Sequence, residues 1–176
     1  MIIPSLGPRI CIMGPSNSGK STLAWAIGNA YGLPVLHLDQ LYHTPHTDWQ
    51  PRPEDEFLRL HDEAIKGEQW VLEGNYTCCL PQRLARATGF ILLDASTPLS
   101  LLRYVRRSWF EKHRVGGLAG NQDSVKWSMV HYITITTRAN RQRYKDIFQT
   151  ITLPKVSLTT PRALARFYRD EYLHRP

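Results

Sequence analysis

Five short apolar segments recur along the chain, and segments with helical spacing separate them. The apolar segments are residues 9–13, 34–38, 69–72, 89–93 and 155–158. Most are apolar throughout, which is typical of strands buried on both faces of a sheet. Because helices alternate with them, the order predicts an α/β protein in which helices cover both faces of a five-stranded parallel sheet, a three-layer α/β/α arrangement.

Helix signals fill most of the intervals between these strands. Apolar side chains follow helical spacing in residues 21–31, and Gly32 marks the end of that helix. Three later starts are marked by proline: Pro53 before a run of acids, Ser96-Thr97-Pro98, and Thr160-Pro161. Residues 39–53 contain three prolines, and we predict a long loop there.

The interval between the fourth and fifth strands has a composition of its own. Residues 114–124 are rich in glycine and predict a mobile stretch. Residues 125–148 are ambiguous, because the ITITT core favours a strand and the apolar spacing favours a helix, which we prefer. We expect one domain over residues 1–176, with a lid-like insertion at about 108–145.

Arginines stand on both sides of the glycine-rich stretch. Arg103, Arg106 and Arg107 precede it, and Arg138, Arg141 and Arg143 follow it. A mobile segment between two basic helices is what a lid closing over phosphate requires, because it excludes water and neutralises developing charge. A solvated basic face or a nucleic-acid patch would show the same pattern.

The first predicted strand ends at a loop with the spacing Gly-x-x-x-x-Gly-Lys-Ser, residues 14–21. In such a loop the backbone N–H groups surround phosphates, while Lys20 reaches the β- and γ-phosphates and Ser21 holds Mg²⁺. The position between a strand and a helix is the one that this chemistry requires. We predict binding of ATP and Mg²⁺ here. The predicted nucleotide-binding residues are Gly14, Pro15, Ser16, Asn17, Ser18, Gly19, Lys20, Ser21 and Thr22.

Acidic residues follow the next three strands, at the sheet edge where ligands of such folds bind. Asp39 could accept a proton from an attacking hydroxyl or hold Mg²⁺ through water, or it could form a turn. Glu73 could contact the metal through water or orient an attacking group, or it could face solvent. Asp94 precedes Ala-Ser-Thr-Pro, where a helix cap is as good an explanation as a functional role.

The acceptor side of the predicted site takes its candidates from the segments around these acids. Asp39 and Glu73 are joined there by Tyr42, by Trp49 in the proline-rich loop, and by Asn75 and Tyr76 after Glu73. Trp49 is the tryptophan best placed to stack on a base or substrate. The histidines His37, His43 and His46 lack the spacing of a metal cluster.

Charge is divided unevenly along the chain. Residues 1–99 carry 7 Lys and Arg against 10 Asp and Glu, whereas residues 100–176 carry 15 against 5, a net +10. The basic half could bind nucleic acid or the phosphates of a small nucleotide. We expect no secretory signal, no membrane helix and no disulfide framework from three cysteines, and therefore a reducing cytoplasm.

The chain lacks the motifs of two other classes of nucleotide-binding protein, which argues against both. A motor of the AAA⁺ type would carry an Asp-Glu pair at the end of an apolar strand, but Asp94 is followed by Ala95. A GTPase would carry an Asn-Lys-x-Asp guanine motif, which the sequence does not contain.

Four segments together resemble a known family of small P-loop proteins. They are GPSNSGKSTLA, LPVLHLDQLYHTP followed by Trp49, WVLEGNYT, and the arginine-bearing helix after FILLD. The pattern is similar to that of adenylate-kinase-like proteins often labelled DNA topology modulation protein-related proteins or AAA-family ATPases. The resemblance covers nearly the whole chain and is strongest from residue 10 to about 110. It implies a nucleoside-monophosphate-kinase-like fold with a lid.

The resemblance also implies roles for particular residues. Arg103 and Arg107 are the best matches to lid arginines, and with Arg138 they are the candidate catalytic arginines beside Lys20 and Asp39. The pair Glu73-Gly74 looks like the Asp-Gly of nucleotide kinases, but Asn75 and Tyr76 stand where those enzymes carry an apolar residue, proline and the arginine that grips the acceptor monophosphate. This departure argues against a monophosphate acceptor, and Asp39 instead looks like the acid after strand two in kinases of small hydroxyl compounds.

These features predict a phosphotransferase that moves the γ-phosphate of ATP to a small-molecule acceptor. The alternative is a nucleotide-binding or nucleotide-hydrolysing regulator that contacts DNA through its basic C-terminal half, and the family label points that way.

Overall fold

Five strands form one sheet in the computed structural model, which describes the backbone of residues 1–110 and 137–176 and the side chains of residues 1–106 and 140–176. The elements in chain order are α1 (Ile3–Leu6), β1 (Arg9–Met13), α2 (Lys20–Tyr31), β2 (Val35–His37), α3 (Leu38–Tyr42), α4 (Glu54–Ala64), β3 (Trp70–Glu73), α5 (Leu80–Arg86), β4 (Gly89–Leu93), α6 (Thr97–Phe110), α7 (Thr137–Thr150), β5 (Lys155–Leu158) and α8 (Pro161–Asp170). Within these described ranges, no helix combines the length and the apolar character needed to cross a bilayer.

The sheet has the strand order β2-β3-β1-β4-β5, and every neighbouring pair is parallel. The register pairs Ile12 of β1 with Glu73 of β3, and His37 of β2 with Glu73 in turn. The prediction of a five-stranded parallel sheet is confirmed. Since all strands run the same way, the segments that follow β1, β2 and β3 leave the sheet at one edge.

Two apolar cores cover the two faces of the sheet. On one face Ile10 and Ile12 of β1 pack with buried side chains of α2 and α8, including Leu23 and Phe167. On the other face the alternate β1 residues pack with buried side chains of α4, α5 and α7, among them Phe57, Leu80 and Tyr144. Residues of a strand alternate between faces, so one apolar strand feeds both cores. The predicted three-layer α/β/α arrangement is confirmed.

Three short helices were not predicted. The expected loop from residue 39 begins instead with α3, because Leu38 turns inward and is fully buried. Helix α5 has Leu80 and Arg83 as its buried side chains, and α1 has four residues. Helices this short show fewer than two turns of periodicity, so apolar spacing does not reveal them.

The long interval after β4 contains α6 and α7, two helices of 14 residues each. The helix preference is confirmed for residues 137–148, whereas residues 125–136 and the glycine-rich stretch 114–124 lie outside the described residues. Asp94, which directly follows β4, accepts a hydrogen bond from Arg141 Nε at 2.7 Å. It also forms ion pairs with Arg141 Nη2 at 2.6 Å and with Lys145 Nζ at 3.6 Å. The buried Asp94 carboxylate therefore fastens α7 to the sheet, a role that neither predicted explanation included.

Candidate active site

Three strand ends meet at one edge of the sheet, because β1 lies next to β3 and β3 lies next to β2. The phosphate-binding loop leaves β1 at Gly14, Glu73 closes β3, and Asp39 lies two residues beyond the last residue of β2. The carboxyl ends of parallel strands are where ligands bind in this class of fold. The topology thus brings the predicted donor and acceptor residues to adjacent positions.

The loop takes a conformation that depends on glycine. Gly14 has φ 149°, and a Cβ added to it would lie 2.0 Å from the carbonyl oxygen of Leu93. Inside the loop the Ser18 N–H donates to the Pro15 carbonyl at 3.2 Å, and Lys20 Nζ donates to the same carbonyl at 3.0 Å. Helix α2 begins at Lys20, so its N-terminal N–H groups lie at the loop, where they attract an anion.

Glu73 is the centre of a buried hydrogen-bond network. Its Oε1 accepts the Ser21 hydroxyl at 3.0 Å and lies 2.9 Å from His37 Nδ1. Burial raises the pKa of Glu73, but the hydrogen bond with His37, the charge of Lys20 and the hydrogen bond from Ser21 outweigh it, so that the pKa lies below its ordinary value. The carboxylate is therefore ionised, and His37 Nδ1–H donates to it.

Ser21 and Glu73 provide oxygen atoms that suit the predicted Mg²⁺ ion. Ser21 Oγ and an ionised Glu73 carboxylate lie within hydrogen-bond distance of each other beside the loop, and hard oxygen ligands are what Mg²⁺ requires. Ser21 would hold the ion directly and Glu73 would hold it directly or through water. Asp39 remains a predicted water-mediated contact.

Asp39 is held by an aromatic cluster at the opening of α3. The Tyr76 hydroxyl donates to Asp39 Oδ1 at 2.9 Å, and the Tyr76 ring lies 4.6 Å from the ring of Tyr42. Phe57 packs against both tyrosines, with centroid separations of 5.1 and 5.2 Å. Three of the predicted acceptor residues, Asp39, Tyr42 and Tyr76, are therefore in one cluster.

Trp49 and Asn75 have other neighbours. The Trp49 ring lies 5.1 Å from the ring of His43, which is itself 4.8 Å from Tyr42, so Trp49 is at the outer margin of the cluster. Asn75 turns toward the donor side: its Oδ1 accepts the Gly14 N–H at 3.1 Å and its Nδ2 donates to the Gly14 carbonyl at 2.6 Å.

A buried arginine supports the turn after β3. Arg83 on α5 has no solvent exposure, and its Nη2 donates to the Tyr76 carbonyl at 2.7 Å. Neither Nε nor Nη1 of Arg83 has a hydrogen-bond partner among the described residues. Arg83 thereby fixes the main chain from which the Tyr76 side chain reaches Asp39.

The candidate catalytic arginines differ in what the structure describes of them. Arg103 Nη1 donates to the Ser18 carbonyl at 2.8 Å and lies next to Gly19, so this side chain borders the loop. Burial lowers the pKa of Arg103, and the neighbouring Arg175 charge lowers it further. Arg107 and Arg138 belong to α6 and α7, but their side chains lie outside the described ones. From α7, Arg143 Nη2 donates to the Thr77 hydroxyl at 3.1 Å.

His37 and Arg83 are site residues that the sequence did not indicate. His37 is the last residue of an apolar strand two positions before Asp39, and a polar residue at such a strand end is a signal that could have been used. Arg83 carries no such signal, because an arginine on a short helix resembles a surface residue until its burial is known.

The lowered pKa of Glu73 leads to a prediction about acid stability. A carboxyl group whose pKa is depressed in the folded state contributes stability above its unfolded pKa and loses it as the pH falls. We expect the free energy of unfolding of wild type to decline below pH ~4.5, the ordinary value, more steeply than that of Glu73→Gln. Urea denaturation between pH 7 and 3, without nucleotide and with a metal chelator, measures this.

The matched control for this prediction is Glu63→Gln, which changes a carboxyl group on the exposed part of α4. Its unfolding free energy should follow the wild-type pH profile. Parallel profiles for wild type and Glu73→Gln would show that Glu73 titrates alike in the folded and unfolded chains.

Comparison with known proteins bears on the fold. No family model and no curated protein matches the chain. Among solved structures, the chain is similar to a shikimate kinase from Acinetobacter baumannii in complex with shikimate, with a TM-score of 0.58, 15% identity, and coverage of 93% of this chain and 91% of that one. It is also similar to a gluconokinase from Sinorhizobium meliloti 1021, with a TM-score of 0.52, 19% identity, and coverage of 95% and 97%. The chain therefore has the fold of the P-loop kinases.

Proposed function

We propose that the chain is an ATP-dependent phosphotransferase whose acceptor is a hydroxyl group of a small molecule. The observation that carries the proposal is the Glu73 network. It ties Ser21 of the phosphate-binding loop to His37 at the end of β2, and Asp39 follows His37 by two residues. A nucleotide bound at the loop would therefore lie near Asp39, whose carboxylate is suited to activating a second substrate.

The donor half is built to hold the phosphates of ATP. The loop N–H groups and the start of α2 surround the β- and γ-phosphates, and Lys20 leaves the Pro15 carbonyl to contact them. Ser21, together with Glu73 directly or through water, would hold Mg²⁺ here, and the ion would neutralise phosphate charge. Arg103 borders the loop at Ser18 and Gly19 and adds a positive charge there.

The acceptor half provides a base for the attacking hydroxyl. The oxygen of that hydroxyl forms a bond to the γ-phosphorus, while the bond from this phosphorus to the β–γ bridging oxygen breaks. The hydroxyl proton passes to Asp39. The products are ADP and a phosphate monoester. The hydrogen bond from Tyr76 orients the Asp39 carboxylate, and Tyr42 and Tyr76 provide an aromatic wall.

Two further observations support a hydroxyl acceptor. The turn after Glu73-Gly74 uses its side chains internally, Asn75 on Gly14 and Tyr76 on Asp39, rather than presenting an arginine to a monophosphate. The fold is also that of structures named as a shikimate kinase and a gluconokinase, whose named substrates carry hydroxyl groups.

The proposal is tested by measuring formation of ADP from ATP and Mg²⁺ against a panel of small hydroxy compounds, with mass spectrometry of the products. We expect at least one sugar acid, polyol or cyclic hydroxy acid to raise turnover well above the rate without acceptor and to gain the mass of one phosphoryl group. Nucleoside monophosphates form the comparison arm. If only they are phosphorylated, or if no compound raises turnover, the hydroxyl-acceptor proposal is wrong.

A further inference from the structure

Asn75 joins the phosphate-binding loop to the turn that follows β3. Its side-chain amide meets both main-chain groups of Gly14, accepting from the N–H at 3.1 Å and donating to the carbonyl at 2.6 Å. The two residues are 61 positions apart in the chain. The contact is therefore a tertiary one and does not arise from local turn geometry.

The location of this contact explains why an amide is suited to it. The pairing of β1 with β3 ends at Ile12 and Glu73, and the Gly74 N–H donates to the Ile12 carbonyl at 3.2 Å. At Gly14, two residues beyond Ile12, the pairing partner is the side-chain amide of Asn75, in the turn after β3, instead of a strand backbone. Asparagine offers the same donor and acceptor as a peptide group, so it continues the ladder by one step.

We propose that Asn75 is a positioning residue of the phosphate-binding loop. By fixing the peptide groups on either side of Gly14, it sets the direction in which residues 15–19 leave the sheet and so holds their N–H groups ready for phosphate. A loop that is already ordered in the free protein loses less conformational entropy when the ligand binds, so the ligand binds more tightly. This assigns Asn75 to the donor half rather than to the acceptor, and it rests on the proposed nucleotide site.

The geometry of the turn makes this role specific to the residue. Leu38 packs closely on Gly74, so that an added Cβ would lie 2.7 Å from Leu38 Cβ. Because the Gly74 N–H also donates to the Ile12 carbonyl at 3.2 Å, the main chain leading to Asn75 is held in place. On the other side, Arg83 holds the Tyr76 carbonyl at 2.7 Å. Because the backbone is held on both sides of Asn75, its side-chain amide has a fixed position and so fixes the position of Gly14.

The experiment compares Asn75→Ala and Asn75→Asp with wild type in binding of a fluorescent, non-hydrolysable ATP analogue with Mg²⁺. Alanine removes both hydrogen bonds, and aspartate keeps an acceptor for the Gly14 N–H but places a charge against the Gly14 carbonyl. We expect both variants to bind the analogue about 10-fold more weakly, the effect of losing one or two hydrogen bonds. The Gly14 amide resonance in ¹H–¹⁵N spectra of the free protein should move in both.

Asn29→Ala is the matched control, because Asn29 is exposed on α2 and is also an asparagine. It should bind the analogue like wild type and leave the Gly14 resonance in place. Urea denaturation shows what fraction of each variant is folded at the assay temperature. Variants of Asn75 that are less stable but bind the analogue with wild-type affinity would overturn the proposal, because Asn75 would then support the fold alone. If wild type binds no analogue, the proposed function fails with it.

Discussion

Replacing Lys20 with methionine is expected to lower kcat about 1,000-fold, the upper range for loss of one group that stabilises transition-state charge. In the free protein Lys20 Nζ donates to the Pro15 carbonyl, so its charge lies within the loop that we propose to bind the phosphates. Methionine keeps most of the stem and removes the ammonium group. Initial rates of ADP formation at saturating nucleotide measure the effect, with the acceptor that gives the highest wild-type turnover.

The control for Lys20 is Lys66→Met, since Lys66 is an exposed lysine paired with Glu63 on the surface. It should keep wild-type turnover. The Lys20 variant is also expected to raise the pKa of Glu73, because the Lys20 charge is one of the causes that lower it. A Lys20→Met protein that transfers phosphate within a few-fold of the wild-type rate would mean that the loop does not hold the transferred group.

The sheet could be predicted from sequence because each strand carries its own signal. Residues 9–13 and 89–93 are the strands themselves, and the positions of Glu73 and Asp39 follow once the strands are taken as parallel. Both depend only on local apolar runs and on the rule that parallel strands end at one edge. The strand order β2-β3-β1-β4-β5 has no such local signal.

The contacts within the site could not be predicted in the same way. The sequence predicts Asn75 on the acceptor side. Its hydrogen bonds with Gly14 carry no sequence signal, because they depend on the register of β1 against β3. The hydrogen bond between His37 and Glu73 likewise requires β2 to lie next to β3. Arg83 is buried by packing of α5 on the sheet, which composition alone does not reveal. Contacts of this kind join residues that are far apart in the sequence, so no single segment carries a signal for them.

Substituting Asp39 with asparagine is expected to lower kcat about 100- to 10,000-fold, the range for loss of a general base. Asparagine is close to isosteric and still accepts the hydrogen bond that the Tyr76 hydroxyl donates to Oδ1 of Asp39, so the aromatic cluster should persist. Because the proposed role of Asp39 is on the acceptor side, the dissociation constant of the ATP analogue should stay within about twofold of wild type. This separates Asp39 from Asn75, for which the expected effect is weaker binding of the nucleotide.

Two variants sharpen the Asp39 prediction. Tyr76→Phe removes the hydroxyl that orients the carboxylate but leaves the base, so we expect a smaller loss of kcat, about 10-fold, the effect of one hydrogen bond to a charged group. Asp55→Asn, an exposed carboxylate in the first turn of α4, should leave turnover unchanged. If Asp39→Asn retains full transfer to the hydroxyl acceptor, Asp39 is not the base. The dyad of His37 and Glu73 at the adjoining strand ends would then be the next group to test, through His37→Gln in the same assay.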